Sequence, residues 1–295
     1  RMPVWKRFGF LFVFVVPALM PVAAWLGARS GHVDLTAWFP LFFLFVLLPL
    51  ADYALGHDPQ NPTAEQATAL ESDRWFRWMT LAALPAQLGV LVWSGGHFAQ
   101  TGFGPAGVAG WLLSQGIVGG VLAINVAHEL IHKDTALERG AGGLLLTSVG
   151  YHGFKIEHLR GHHVHVSTPE DASSSRFGQS LWNFLPRALV RNTANAWKLE
   201  AQRLAKSGKR WWHIDNELLR WSLLLVALCA AFPVGLGLPG LLFFLAQGFF
   251  AACSLEIINY IEHYGLERRR TADGRYERTT HLHSWNSDYL ISNLL

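Results

Sequence analysis

The stretch GVAGWLLSQGIVGGVLAINVA, Gly107 to Ala127, runs without a break into HELIHK, His128 to Lys133. The first part carries no charge and is long enough to cross a bilayer as a helix, which takes roughly 20 mostly apolar residues. The second part sets two imidazoles four residues apart, on one face of that helix if it continues. A membrane span that ends in paired histidines decides the fold class and raises the question of a metal at its end.

Five further apolar runs lie on either side, at residues 8–27, 36–55, 75–94, 218–236 and 239–261. The 295-residue chain is 51% hydrophobic and only 15% charged, against about 25% charged in an ordinary soluble domain. The expected fold is therefore all-α and integral to the membrane, with six transmembrane helices and a cytoplasmic, histidine-rich, metal-binding cap. Internal prolines such as Pro21 and Pro85 fit this reading, because neighbouring helices in a membrane can repair a kink.

All but one of the 24 Lys and Arg residues fall on one side if the N-terminus, with Arg1, Lys6 and Arg7, is cytoplasmic. Arg29 is the exception. The positive-inside rule then places the N-terminus and both histidine-rich segments in the cytoplasm. Residues 1–127 hold spans one to four, 128–217 form a cytoplasmic insertion, 218–261 hold spans five and six, and 262–295 form a cytoplasmic C-terminal segment. Within the insertion, the apolar stretch 141–150 is too short to span and reads as interfacial or re-entrant. Residues 186–213 read as a basic amphipathic helix on the membrane surface. The net charge of +3 is too small to point to nucleic acid. Cys229 and Cys253 both sit in apolar runs, which excludes a disulfide framework and any cysteine-built metal cluster.

The second histidine-rich segment reads EHLRGHH, Glu157 to His163. His158 and His162 repeat the four-residue spacing, and His163 adds a neighbour. His263 stands in NYIEHYG, Asn259 to Gly265, at the cytoplasmic end of the last span. A lone histidine at a helix end is an ordinary polar group, but two spaced pairs with a third beside them ask for a metal. HELIH also matches the H-E-x-x-H pattern of zinc hydrolases, in which Glu129 would be the general base. Such a site needs only three protein ligands. Six histidines, His128, His132, His158, His162, His163 and His263, suit two ions instead. Neutral nitrogen donors around iron suit the activation of O2. Glu129, Asp134, Glu157 and Glu262 are the candidate acceptors that fix imidazole tautomers.

These motifs resemble those of the membrane alkane 1-monooxygenases, within the histidine-box non-haem di-iron superfamily that also holds membrane desaturases and xylene monooxygenase. HHVHVSTPED, His162 to Asp171, and HSWNS, His283 to Ser287, look similar as well, and the likeness runs over essentially the whole chain. The resemblance implies two Fe ions and O2-dependent terminal hydroxylation of medium-chain n-alkanes to 1-alkanols. It further implies a bacterial inner-membrane enzyme that meets its substrate among membrane lipids. Electrons would come from a rubredoxin and its reductase, separate or fused, since no flavin or haem motif is present. Phe42, Phe45 and Leu48 are candidate channel residues that limit chain length. The family carries one more histidine box past the point where this chain stops, so the chain is expected to be truncated before it. His281 and His283 are weaker substitutes, because their spacing of two does not share a helix face. A membrane acyl-lipid desaturase or hydroxylase shares the same metal logic.

Overall fold

A computed structural model of the chain describes residues 8–56, 73–286 and Tyr289. The basic residues Arg1, Lys6 and Arg7 used above lie outside them. The described residues form no named strand, and Arg270 makes an isolated antiparallel bridge with Tyr276. Everything else regular is helical, as the apolar runs predict.

Four helices are long and apolar enough to cross a membrane: α1 (Phe10–Ser30), α3 (Arg74–Gln100), α4 (Pro105–Ile131) and α8 (Glu217–Glu262). The second expected span gives a shorter apolar helix, α2 (Phe39–Leu55). The first residue of that run, Thr36, belongs to a separate turn, Val33–Thr36, whose Asp34 is drawn away to accept the Gly104 N–H at 2.9 Å.

The fifth and sixth expected spans appear as one element broken in the middle. Gly237 has φ 66° and ψ −170° inside α8, a conformation open essentially to glycine alone. The Phe232 and Phe244 rings stack 4.6 Å apart, whereas twelve residues of straight helix would separate them by about 18 Å. The chain therefore folds back on itself, and α8 is an antiparallel hairpin of two arms, residues 217–236 and 238–262.

α4 lies at the centre. Leu122, Ala123, Ala127 and Leu130 are completely buried. On its α8 side, a Cβ at Gly116 would overlap Phe250 Cβ, and one at Gly120 would overlap Ser254 Oγ. Small residues four apart let helix backbones approach where lipid gives no hydrophobic drive. Buried amides add directional contacts: Gln247 Nε2 donates to the Ser148 carbonyl at 3.0 Å, and Gln87 Nε2 to Ser148 Oγ at 3.4 Å.

The insertion contributes three helices. α5 (Ala136–Ser148) begins with a Thr135 cap, whose oxygen accepts from Glu138 N while its hydroxyl donates to Glu138 Oε2. The threonine thus caps the first turn by satisfying a free backbone N–H. α5 packs Gly142 against Ile131 and Leu130, so the short apolar stretch is a buried helix beside α4. α6 (residues 154–165) carries the second histidine segment, with a π-helical turn at His158–His162. α7 (Leu181–Ala205) begins five residues before the predicted amphipathic helix does and ends eight residues sooner.

Replacing Gly237 by valine puts a branched side chain at a left-handed φ and should cost about 1–3 kcal/mol. The expected outcome is a lower thermal midpoint for the purified protein in detergent. An unchanged midpoint would show that the reversal does not need glycine.

Candidate metal centre

His128 and His132 leave the last turns of α4, just after a π-helical stretch at Gly120–Asn125. His158 opens the π turn of α6, and His163 closes it five residues later. The i to i+5 period of a π turn brings those two rings to 4.3 Å. One ring nitrogen from each of His128, His132, His158 and His163 lies within 4.8 Å of all the others. Four nitrogens bound to one ion at about 2.1 Å span roughly 4.2 Å at most, so a small contraction closes the set.

The donor chemistry fits a metal. Nε2 of His158 is buried and has no hydrogen-bond partner among the described residues. Burial and the neighbouring imidazoles hold the His158 pKa well below its usual value, so the ring stays neutral and free to ligate. Burial lowers His163 in the same direction.

His162 turns the other way and meets His263, with ring centroids 5.1 Å apart. Nδ1 of His162 is 3.0 Å from Asp171 Oδ2. Nδ1 of His263 is 3.0 Å from the His283 carbonyl. Each acceptor fixes its ring with the proton on Nδ1, which leaves Nε2 free for a metal. Burial favours a protonated Asp171, but hydrogen bonds from His162, Ser174 and the Ser173 backbone keep its pKa below the usual range. The same carboxylate holds His162 above its usual value against burial.

The six predicted histidines thus divide into a cluster of four and a pair. The other expected residues fall as follows. Glu129 is exposed and pairs with Lys133 at 2.5 Å. Glu157 is buried, and burial together with the Asp171 charge pushes its carboxyl up to about 8. Glu262 is partly buried and offers its backbone carbonyl to Trp285 N–H. Asp134 engages Arg139 through its backbone carbonyl. His283 is occupied on both ring nitrogens, by Thr280 and by Glu277, and serves through its carbonyl. Phe42 and Phe45 are 50% and 61% exposed on α2, and Leu48 is buried.

Sequence reasoning missed a buried polar network beside the pair. Glu256, fully buried, accepts from Tyr151 Oη at 2.5 Å and Asn192 Nδ2 at 2.9 Å. Asn259 and Ser173 reach its other oxygen at 3.3 and 3.4 Å. A carboxylate inside an apolar run is a signal in itself, and Glu256 was legible on that ground. Asp171 stands in a quoted motif but carries no spacing that marks it. Asn192 gives no signal at all.

A fatty acid desaturase family model matches residues 104–295. The chain is 49% identical to alkane 1-monooxygenase 2 of Alcanivorax borkumensis over 98% of its own length and 76% of the relative's. Alkane 1-monooxygenase 1 of Pseudomonas aeruginosa matches at 49% with the same coverage. The xylene/toluene monooxygenase hydroxylase component of Pseudomonas putida is 34% identical over 56% of the chain and 44% of that protein.

Asp171→Asn leaves the fold intact but no longer fixes the His162 tautomer. Metal affinity, measured by titration of the purified protein, should fall about 10–100-fold with unchanged far-UV circular dichroism. Unaltered affinity would show that Asp171 does not support the site.

Proposed function

The chain belongs to the alkane 1-monooxygenase family, among the fatty acid desaturase-like proteins, and from that premise we propose that it hydroxylates medium-chain n-alkanes at the terminal carbon. It is a membrane monooxygenase, an oxidoreductase. The overall reaction takes an alkane, O2, two electrons and two protons to a 1-alkanol and water. The observation that carries this reading is the convergence of His128, His132, His158 and His163 on one point, with His162 and His263 paired beside it.

In this reading the cluster of four holds one iron and the pair contributes to a second. Bound iron would supply the activation of O2 and the cleavage of a strong C–H bond. The protein's residues do the rest. Asp171 and the His283 carbonyl hold the two paired rings in the tautomer that exposes Nε2. The Phe154 ring stacks on His158 at 4.6 Å and keeps water from that side of the cluster. Of the three bulky residues on α2, Leu48 is buried in the bundle and is the one placed to limit chain length from inside, while Phe42 and Phe45 are exposed on the helix surface.

Six spans are supported by the six apolar runs, and the N-terminus and histidines on the cytoplasmic side of a bacterial inner membrane by the one-sided Lys and Arg distribution. Electrons come from a rubredoxin and its reductase, and the basic cytoplasmic surface suits an acidic donor.

Membranes containing the protein, a rubredoxin, its reductase, octane and 18O2 should yield labelled 1-octanol, and purified protein should carry about two irons per chain. His263→Ala should abolish turnover. One zinc and no iron would instead favour a hydrolase built on HELIH, and unsaturated products from an acyl lipid would favour a desaturase.

A further inference from the structure

An alkane must leave the bilayer to reach the histidines, and an apolar groove leads in their direction. The groove measures about 710 Å³ and opens between α7 and the second arm of α8. Small-ligand sites commonly have this size. Leu189 and Val190 form one wall, Leu245 and Phe249 the other, and Tyr151 meets them from the α5–α6 loop. The Tyr151 hydroxyl is already taken up by Glu256.

A smaller cavity of about 50 Å³ shares Gly150, Tyr151 and Thr193 with the groove and is also lined by Phe154. Phe154 is buried, and its ring lies 4.6 Å from that of His158 and 6.4 Å from that of His128. The groove and the smaller cavity therefore adjoin, and their lining leads from α7 through Tyr151 to Phe154. Among the described residues no Lys, Arg or His lines the groove, so its lining offers no cation to a phosphate headgroup. An uncharged hydrocarbon chain without a polar head matches it better than a phospholipid does.

We infer that this groove is the lateral entrance for the hydrocarbon substrate, with Phe154 the last side chain passed before the histidine cluster. The inference rests on the alkane-hydroxylase reading. Thr193 sits at the junction of the two cavities and is exposed, with only a helix carbonyl as its partner. Bulk added there fills the passage without disturbing the core.

The test compares wild type, Thr193→Trp, Leu245→Trp and Val234→Trp in membranes. Val234 is 89% exposed near the α8 reversal and away from the groove. Thr193→Trp and Leu245→Trp should lower kcat/KM for decane by about tenfold, the scale of a methylene-sized mismatch in an apolar pocket. Iron content should not change, and Val234→Trp should behave as wild type. A decyl diazirine probe should label residues 186–194 and 244–252, with excess decane suppressing the label and phosphatidylcholine leaving it. Unchanged decane kinetics in both groove variants, label mapping elsewhere, or suppression by phospholipid alone would each overturn the entrance. A wild type that oxidises no alkane counts against the reaction, and the labelling still decides the groove.

Discussion

A buried imidazole nitrogen without a partner costs on the order of 1–3 kcal/mol, and His158 Nε2 is such an atom. Three other rings stand around it, His128 at 4.5 Å, His163 at 4.3 Å and His132 at 5.5 Å between centroids. Neutral rings set edge-on to it do not repay that cost, because each offers a lone pair to the same point. A cation at that point satisfies all four at once. The surrounding helices can be read as the scaffold that keeps the four lone pairs converging.

That scaffold depends on the π turn at His158–His162. In an α-helix, residues five apart point well away from each other, so His158 and His163 would not share a site. The π turn aligns them and sends His162 toward His263. The turn is braced from outside by Arg160, which lies between the ligands and donates to Glu200 at 2.8 Å. Glu200 also accepts from Arg203 at 2.7 Å and from the Glu217 backbone N–H at 2.8 Å. Burial works against its charge, yet these donors bring its pKa down to about 2. One carboxylate thus ties the histidine turn, α7 and the start of α8 together.

Much of this was legible in the sequence, for identifiable reasons. Apolar runs mark membrane helices because an unsatisfied backbone cannot sit in lipid, and the long runs became α1, α3, α4 and the two arms of α8. The run at 36–55 fell short because Asp34 and Trp38 are claimed by the start of α4, at Gly104 and Ala106. The histidines announced themselves by their spacing. Their division into four and two did not, since nothing in EHLRGHH separates a π turn from an α turn. The role of His283 was also hidden, because it acts through its backbone, where side-chain identity is silent.

The buried carboxylates bear on how an all-imidazole ligand set would hold a cation in a water-poor site. Neutral rings bring no charge to offset a bound cation, and an unbalanced charge away from water is costly. Asp171, Glu157 and Glu256 are all buried. Asp171 touches His162 directly, and Glu256 is held by Tyr151, Asn192 and Asn259 one helical layer behind. Asp171, whose hydrogen bonds keep it ionised, therefore holds negative charge one hydrogen bond behind the His162 ring. Carboxylates placed as direct ligands would fill coordination positions and make the metals more electron-rich. Set back behind the rings, a carboxylate such as Asp171 would balance the charge of a bound cation and fix a tautomer while leaving coordination positions open.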